Sequence, residues 1–208
     1  MVARGADLVV ADFTVRDAVR RMAAELNGGE PLDAVIHNVG VWSGPAVLPV
    51  NVIAPYLLAA SMPTPCRLVY LSSSSHFIGR PVLEGVDWMG RSPGSYAHSK
   101  LFGTAEARLR PGTPNNAVDP GWVATKMGGP GAPDDLELGH QTRGWLAVSD
   151  TPEAMATGRL LVPPAAAAAP PGGARRGVPG LPPARAGRGD WRRAQRMSGV
   201  PRSGMVTG

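Results

Sequence analysis

The sequence predicts an α/β domain over residues 1–162. Short apolar runs rich in β-branched residues alternate there with segments whose apolar residues recur at every third or fourth position. Strands that are separated by helices need crossover connections, which are typical of a parallel sheet with helices packed on it. The length of 208 residues is enough for one domain with a hydrophobic core.

The predicted strands and helices follow one another along this domain. The strands are ADLVVA (6–11), DAVIHN (33–38), RLVYLS (67–72) and NAVDPG (116–121). The helices are 15–26, 51–62 and 95–110, and the first has apolar residues at 15, 19, 22, 23 and 26. Thr14 is a candidate N-cap of the first helix, and Pro111 with Gly112 ends the third. Ligands of such sheets bind at the carboxyl ends of the strands, so the polar residues that follow each strand are candidate site residues.

Residues 163–208 differ in composition and are predicted to form a disordered tail. They are mostly Pro, Gly, Ala and Arg without a hydrophobic period, so they cannot bury enough apolar surface to offset the entropy of ordering. The tail has eight arginines and one acid, a net charge of +7, whereas residues 1–162 have a net charge of −2. The abrupt change favours the hypothesis that the tail is an out-of-frame reading of GC-rich DNA and that the start lies inside a longer frame. Sequencing of the locus tests that hypothesis.

Composition also limits the compartment and the partners. The single cysteine, Cys66, excludes an internal disulfide framework and indicates a reducing compartment, which predicts a cytoplasmic protein. No apolar run has the length of a membrane span, and the N-terminus lacks a signal-peptide pattern, so no membrane association is expected. The four histidines show no metal-ligand spacing, and no metal is expected. The basic residues of the tail favour solvated disorder over specific nucleic-acid binding.

Four polar motifs fall where the site of an α/β sheet is expected, three of them at or directly after predicted strands and the third in chain order on the helix 95–110. They are HNVG (37–40), LSSSS (71–75), Tyr96-x-x-x-Lys100 and DPGWVAT (119–125). Residues four apart on a helix share a face, so Tyr96 and Lys100 are expected to point into one cleft. A nearby ammonium favours the phenolate and is expected to lower the pKa of Tyr96, which suits proton exchange with a carbonyl or an alcohol. A hydroxyl of the serine loop is placed to polarise the same substrate oxygen.

These motifs, in this order and together with Asn51 of VNVIAPY, resemble the short-chain dehydrogenase/reductase family over roughly residues 3–162. The resemblance implies an NAD(P)-dependent oxidoreductase that moves hydride between the nicotinamide cofactor and a carbonyl or secondary alcohol. It implies that Tyr96 exchanges a proton with the substrate oxygen, that Lys100 holds the cofactor ribose and lowers the pKa of Tyr96, and that Ser73 orients the carbonyl. Asn51 matches the helix asparagine that holds a water in the proton relay.

The resemblance also implies residues that bind the cofactor, NAD or NADP. Besides Tyr96 and Lys100, they are Asp12 at the adenine, Asn38 and Gly40 in the turn after a strand, and Pro120, Gly121, Val123 and Thr125 in the loop at the nicotinamide end. The family begins with a strand, a TGxxxGxG turn and a helix, where backbone N–H groups approach the pyrophosphate. The chain contains no such motif, so the preference for NAD or NADP is unreadable and activity as an enzyme is left open.

The fold implied by the resemblance is a partial Rossmann-like, doubly wound parallel sheet that lacks the first βαβ unit. In the family, strands one and two lie between strands three and four. Residues 6–11 correspond to strand three and residues 33–38 to strand four, so the two segments are expected to pair directly or to leave 6–11 loose. A small carbonyl or alcohol is the implied substrate. The family often forms dimers or tetramers, partly through the Tyr96 helix, which implies a homo-oligomer.

Several of these residues have structural alternatives. Asn51 and Asp12 are candidate helix caps, Asn38 with Gly40 a simple turn, Thr125 a cap of the next segment, and residues 72–75 a polar loop. The tryptophans at 42, 88, 122 and 145 are interpreted as packing residues rather than cofactor stackers. Two other functions stay open: a truncated, catalytically inactive relative of the family, and an interaction module that uses the basic tail. Weak cofactor binding would indicate the first, and polyanion binding lost on deletion of 163–208 the second.

Overall fold

The computed structural model describes residues 7–63, 65–110 and 112–163. The strands in these residues are β1 (Ala34–His37), β2 (Arg67–Leu71), β3 (Asn115–Val118) and β4 (Leu160–Leu161), and the α-helices are α1 (Arg16–Asn27), α2 (Ala54–Ser61), α3 (Tyr96–Glu106) and α4 (Leu136–Val148). A π-helical turn (Pro49–Ile53) runs directly into α2, and a 3₁₀ helix (Ser74–Ile78) follows β2. The predicted disordered tail, apart from Pro163, lies outside the described residues.

The four strands form one parallel sheet in the order β1-β2-β3-β4. Each connection between neighbouring strands contains a helix, as parallel neighbours require. Val35 pairs with Leu68 and Tyr70 pairs with Ala117, so the carboxyl ends of β1, β2 and β3 lie at the same edge of the sheet. The prediction of an α/β fold with a parallel sheet is confirmed.

Helices cover both faces of this sheet. Successive residues of a strand point to opposite faces, so β2 contributes to two separate cores. Leu68 and Tyr70 pack on the side of α3, and Val35 links that core to the one formed by α1 and α2. Val69 packs on the other side, against Leu146 of α4. The edge that carries the polar motifs is thus held between α3 on one face and α4 on the other.

Residues 7–11 do not form the strand that the sequence predicts. They make no sheet pairing, and the side chains of Leu8 and Val10 are 86% and 84% exposed. In the part of the chain that the structure describes, β1 pairs only with β2. A strand needs a neighbour for its N–H and C=O groups and a buried apolar face, and residues 7–11 have neither. The predicted strand 6–11 is therefore wrong for its described residues, and the segment has no partner in the sheet.

The first helix begins without the cap that the sequence predicts. Its first residue is Arg16, and its N-cap Val15 makes no side-chain hydrogen bond to the helix. The N–H and the hydroxyl of Thr14 both donate to Oδ1 of Asp12, at 2.8 and 2.7 Å. Thr14 and Asp12 are therefore occupied by a turn before the helix, and neither side chain caps it.

Other elements differ from the prediction mainly at their ends. The predicted helix 51–62 is a continuous helical segment whose first turn is π-helical. The predicted helix 95–110 ends earlier, at Glu106. α4, β4 and the 3₁₀ helix lie outside the sequence-based prediction. None of the helices in the described ranges is long and apolar enough to cross a membrane.

Candidate active site

The carboxyl ends of β1, β2 and β3 carry three loops to one edge of the sheet. β1 is followed by Asn38–Gly40. β2 is followed by Ser72–Ser75, here called the serine loop, and β3 by residues 119–125, here called the PG loop. α3 begins with Tyr96 and the π-helical turn precedes α2. This edge is the place where parallel α/β sheets bind ligands.

Tyr96 and Lys100 lie one turn apart at the start of α3. Nζ of Lys100 lies 5.3 Å from the centroid of the Tyr96 ring, and it donates a hydrogen bond of 2.7 Å to the carbonyl oxygen of Leu71 at the end of β2. Lys100 is buried, and no carboxylate of the described residues forms an ion pair with it. The expected shared orientation of the pair is confirmed, and the ammonium is fixed to a strand end.

The pKa values of this pair differ from the expectation. Burial raises the pKa of Tyr96 to about 12, hydrogen bonding from Ser73 acts in the opposite direction, and the negative charge of Asp119 adds to the rise. Burial lowers the pKa of Lys100 to about 8, and the charge of Asp119 opposes that change. The expected lowering of the Tyr96 pKa is therefore wrong, because burial of the phenolate dominates. At neutral pH, Tyr96 is a neutral phenol and Lys100 is mostly an ammonium.

Asn51 joins the π-helical turn to the segment after β1 and to α3. Its Oδ1 accepts from the N–H of Val41 at 2.8 Å, and its Nδ2 donates to Val41 O at 2.9 Å and to Oγ of Ser99 at 3.0 Å. A Cβ atom added to Gly40 would lie 3.4 Å from Oδ1 of Asn51 and 3.8 Å from Nζ of Lys100. The backbone at Gly40 therefore passes close to both side chains. Asn51 lies inside the helical segment, so its alternative as an N-cap is wrong.

The serine loop presents one hydroxyl to Tyr96 and buries another. Ser72 is 3% exposed, and its hydroxyl bonds to a threonine hydroxyl of α3. Ser73 is the N-cap of the 3₁₀ helix, where its Oγ accepts from the N–H of Ser75 at 3.2 Å, and its hydroxyl also interacts with that of Tyr96. Nδ1 of His76 lies 2.6 Å from the carbonyl oxygen of Ser73. The structure thus brings Ser73, the serine singled out from the sequence, to Tyr96.

Two aspartates shape the PG loop. The N–H of Gly121 donates to Oδ1 of Asp119 at 3.0 Å, and the N–H of Trp122 donates to Oδ2 of Asp134 at 2.6 Å. Gly121 has a φ of 82°, which favours glycine. A Cβ atom there would also lie 2.6 Å from Oδ2 of Asp134. Glycine is therefore required at 121 by both conformation and space.

The rest of the PG loop leads toward α4. Val123 forms an isolated parallel bridge with the residues before α4, and the carbonyl oxygen of Pro120 lies close to the backbone of that helix at Gly139. The hydroxyl of Thr125 accepts from the N–H of Gly128 at 3.1 Å. The local capping role considered for Thr125 is thus present, and the cofactor roles of Pro120, Val123 and Thr125 stay predictions.

Asp12 and Asn38 are separate from this hydrogen-bonded cluster. No hydrogen bond of the described residues joins either of them to Tyr96 or Lys100. Asp12 is exposed, and hydrogen bonds from the hydroxyl and the N–H of Thr14 lower its pKa. Asn38 is exposed and lines a groove of about 210 Å³ between β1, α1 and α2. Their roles at the cofactor stay predictions.

Trp42, Ser99 and Asp119 belong to the site and are not assigned to it from the sequence. The ring of Trp42 lies 4.3 Å from that of Tyr96, between centroids, and is 59% exposed, and its interpretation as a packing residue rather than a cofactor stacker stays a prediction. Trp88, by contrast, packs on Phe102 as expected. Closeness to HNVG and to the Pro-Gly pair is a signal for Trp42 and Asp119. The described residues contain no group of three or more potential metal ligands.

Comparisons with known proteins agree with this fold. No family model matches the chain. The chain is 34% identical over 177 residues to the short-chain dehydrogenase chyC of Penicillium rubens, which covers 76% of this chain and 68% of that protein. It is 32% identical over 164 residues to the short-chain dehydrogenase chry4 of Gibberella zeae, which covers 70% of this chain and 63% of that protein. The chain thus spans about two thirds of the length of these relatives.

Solved structures show the same architecture. A blue fluorescent protein from a metagenomic library, in complex with NADPH, has a TM-score of 0.59 at 20% identity and covers 73% of this chain and 72% of that chain. The carbonyl reductase Sniffer of D. melanogaster has a TM-score of 0.55 at 18% identity and covers 74% of each chain. At these identities the likeness shows the fold.

The fold and the site together define a class: parallel α/β proteins with a tyrosine and a lysine one helical turn apart at the carboxyl edge of the sheet. The identity to chyC then settles the family. The chain belongs to the short-chain dehydrogenases, the short-chain dehydrogenase/reductase family. The predictions of family and fold are confirmed, and that of an oxidoreductase is confirmed at the level of the family.

Proposed function

We propose that this protein interconverts a small carbonyl compound and a secondary alcohol with NAD or NADP, using Tyr96 as proton donor and acceptor. The observation that carries the proposal is the interaction of the Tyr96 hydroxyl with Ser73. The buried ammonium of Lys100 lies one helical turn further along α3. Proton exchange needs a titratable group and a second donor at the same substrate oxygen, and Tyr96 with Ser73 supplies both.

The proposed reduction moves a hydride to the substrate carbonyl carbon and the Tyr96 proton to its oxygen. Hydride adds to the carbonyl carbon, the π electron pair of the C=O bond moves to oxygen, and that oxygen takes the proton of the Tyr96 hydroxyl. Ser73 donates a hydrogen bond to the same oxygen, and the ammonium of Lys100 favours the phenolate that is left. Because its pKa is raised to about 12, Tyr96 keeps its proton at neutral pH. This favours delivery of a proton to a carbonyl over removal of one from an alcohol.

The described residues fit the nicotinamide end of the cofactor. NADH or NADPH, when bound, supplies the hydride. Lys100 would hold the ribose, and the backbone at Gly40 lies close to its ammonium, since a Cβ atom there would lie 3.8 Å from Nζ. The proposed cofactor residues are Asp12, Asn38, Gly40, Tyr96, Lys100, Pro120, Gly121, Val123 and Thr125. Asn51 is the proposed relay residue, and its buried amide fixes the segment after β1.

The compared proteins support the proposal in two ways. The metagenomic protein was solved with NADPH, and Sniffer is a carbonyl reductase. The cytoplasm is the proposed compartment, because Cys66 is free and exposed. A homo-oligomer formed partly through α3 is also proposed, by analogy with the family.

Cofactor binding is the first step to test. Purified protein with a cooperative melting transition is titrated with NADH and with NADPH while tryptophan fluorescence is followed. We expect saturable quenching with at least one of them, because Trp42 is exposed and its ring contacts that of Tyr96 at the site. Trp42→Phe is expected to reduce the signal change, while Trp122 of the PG loop, Trp88 and Trp145 still fluoresce.

Carbonyl reduction is then measured with a panel of small ketones and aldehydes by the loss of NAD(P)H absorbance. Tyr96→Phe keeps the ring that contacts Trp42 and removes the hydroxyl, so we expect a rate lower by about 10²-fold or more with cofactor binding retained. Tyr56→Phe changes a half-exposed ring on α2 and is the matched control.

Two results would contradict the proposal in different ways. A folded protein that binds neither cofactor would favour the catalytically inactive relative. Equal turnover by the Tyr96→Phe variant and the parent would exclude Tyr96 as the proton donor. Polyanion binding that depends on residues 163–208 would favour the interaction module.

A further inference from the structure

Asp119 is a buried carboxylate at the centre of the site. It is 8% exposed, and its backbone N–H donates to Leu161 O at 2.9 Å, so β4 fixes its position. Its Oδ1 accepts from the N–H of Gly121 at 3.0 Å. A carboxylate that is removed from water is costly unless other groups compensate its charge. The groups around Asp119 therefore identify the side chains whose protonation its charge affects.

The register of the sheet places Asp119 at the end of the strand beside the one whose carbonyl oxygen binds the Lys100 ammonium. Leu71 pairs with Val118, and the N–H of Ser72 donates to Val118 O at 2.7 Å. Asp119 follows Val118, so it lies across from the serine loop at the strand spacing of about 4.8 Å. Nζ of Lys100 is bound to the carbonyl oxygen of Leu71. The carboxylate and the ammonium thus lie at two adjacent strand ends, without an ion pair between them.

We propose that Asp119 is a positioning residue, whose carboxylate joins the PG loop to the serine loop and whose charge keeps Lys100 in its ammonium form. The consequence for turnover rests on the proposed function, whereas the effect on Lys100 does not. The hydrogen bonds of Asp119 reach both loops, with Gly121 on one side and the N–H of Ser74 on the other. Its charge raises the pKa of Lys100 against the effect of burial.

Other titratable groups face Asp119 from each neighbouring element. His76 of the 3₁₀ helix lowers the pKa of Asp119, and Asp134 from the segment before α4 raises it, while burial is the main cause of its raised value. On α3, the charge of Asp119 raises the pKa of Tyr96 as well as that of Lys100. Asp119 therefore favours the protonated forms of both groups, which are the forms needed before a proton is delivered to a carbonyl oxygen.

The chain has two lysines, Lys100 and Lys126, which makes a direct measurement practical. Protein labelled with ¹³Cε-lysine gives two signals, and the exposed Lys126 is an internal reference. Asp119→Asn keeps an oxygen acceptor and removes the charge. We expect its Lys100 midpoint to fall by about one pH unit from the parent value, while that of Lys126 is unchanged.

Asp134→Asn is the matched control, because it removes the same charge from a neighbouring aspartate, in the segment before α4, that also binds the PG loop. We expect it to leave the Lys100 midpoint within about 0.3 pH unit of the parent, well inside the shift expected for Asp119→Asn. If Asp119→Asn does not fold, Asp119→Ser replaces it, since a serine hydroxyl can accept the Gly121 N–H two residues on. Asp119→Glu, which keeps the charge, is expected to restore the high midpoint.

An unchanged Lys100 midpoint in folded Asp119→Asn or Asp119→Ser would overturn the proposal, as would an equal fall in Asp134→Asn. If the parent reduces carbonyls, the basic limb of its pH–rate profile is expected to move to lower pH in Asp119→Asn by the same amount as the Lys100 midpoint. If the parent binds no cofactor, the proposed function fails, while the lysine titration still decides whether Asp119 holds the ammonium.

Discussion

At the scale of single residues, Glu106 shows how burial makes stability depend on pH. It lies at the end of α3 and is 5% exposed, and neither carboxyl oxygen has a hydrogen-bond partner in the described residues. Burial raises the pKa of Glu106 well above its usual value. The folded protein therefore holds this group as a neutral acid over a range of pH where the unfolded chain ionises it.

Glu106→Gln is expected to stabilise the protein at neutral pH and to have little effect in acid. Below the usual pKa of 4.5 the glutamate is protonated in both states. As pH rises above that value, the unfolded state loses the proton first, so the parent loses stability until the raised pKa of the folded state is passed. We expect the Tm of the variant to exceed that of the parent by about 2–4 °C at about pH 8, as for about 1 kcal/mol.

Melting curves recorded between about pH 4 and pH 8 measure this difference. Glu25→Gln, on the exposed surface of α1, is the control and is expected to give no pH-dependent change. A gain in Tm for Glu106→Gln that is the same at every pH would show that ionisation of Glu106 is not its cause.

Ser99 is a second buried polar residue, and its hydroxyl is expected to contribute to the stability of the fold. It is 0% exposed, its Oγ accepts from Nδ2 of Asn51 at 3.0 Å, and it donates to Tyr96 O at 2.7 Å. Ser99→Ala leaves an amide hydrogen of Asn51 unpaired, which is expected to cost about 1–3 kcal/mol in urea denaturation. Ser61→Ala, at the exposed end of α2, is expected to stay within about 0.5 kcal/mol. Equal losses in the two variants would exclude the Asn51 contact as the reason.

At this site, the sequence predicts only the contacts between residues that are close together in the chain. The Tyr96–Lys100 pair is predicted because its geometry depends on one helical turn. The contact between Asn51 and Ser99 joins residues 48 apart in the chain, and the position of Asp119 beside Lys100 depends on the register of two strands. No short pattern records either of these contacts. The raised pKa of Tyr96 was likewise beyond prediction, since the extent of burial is a property of the tertiary structure.

At the scale of elements, the errors have two different physical causes. The strand predicted at 6–11 has the right residue types, but the described structure gives it no neighbour to pair with. The sequence does not predict α4, because two glycines and a mixed polar composition hide its apolar side in LELGHQTRGWLAV. The aspartate at 135 is nevertheless a sequence signal for the start of this helix, because aspartate is a preferred N-cap residue. In the structure its Oδ1 accepts from the N–H groups of Glu137 and Leu138.

The packing of the 3₁₀ helix on α3 can be tested at a glycine. A Cβ atom at Gly79 would lie 2.6 Å from the carbonyl oxygen of Ala97 and 2.9 Å from Cβ of Leu101. Gly79→Ala is therefore expected to push the segment after the serine loop away from α3 and to cost about 1–3 kcal/mol. Chemical denaturation measures the loss.

The matched variant is Gly144→Ala within α4, where an added Cβ atom meets nothing within 4 Å. It is expected to stabilise the protein by about 0.5–1 kcal/mol, since alanine favours a helix interior over glycine. If the two substitutions change stability in the same direction and by the same amount, close packing at Gly79 is not the determining factor.

At the scale of the whole molecule, the sheet has an edge strand, β1, whose outer edge has no strand partner among the described residues. Ile36, inside this strand, and Val39, two residues after its end, are 38% and 51% exposed. The apolar groove between β1, α1 and α2 adjoins the same edge. An exposed apolar edge strand is a common starting point for association between chains, and charged residues on such an edge suppress it.

Ile36→Lys is therefore expected to reduce concentration-dependent aggregation about several-fold, because a lysine on the edge opposes strand pairing between molecules. Dynamic light scattering over a concentration series measures the aggregated fraction. Val148→Lys places the same charge on an exposed apolar position at the end of α4, 76% exposed, and is expected to have little effect. If both lysines reduce aggregation equally, net charge is the cause, and the open edge of β1 does not direct association. If Ile36→Lys alone reduces it, the edge of the sheet limits the solubility of this chain, even though α3 and α4 cover the two faces beside the site.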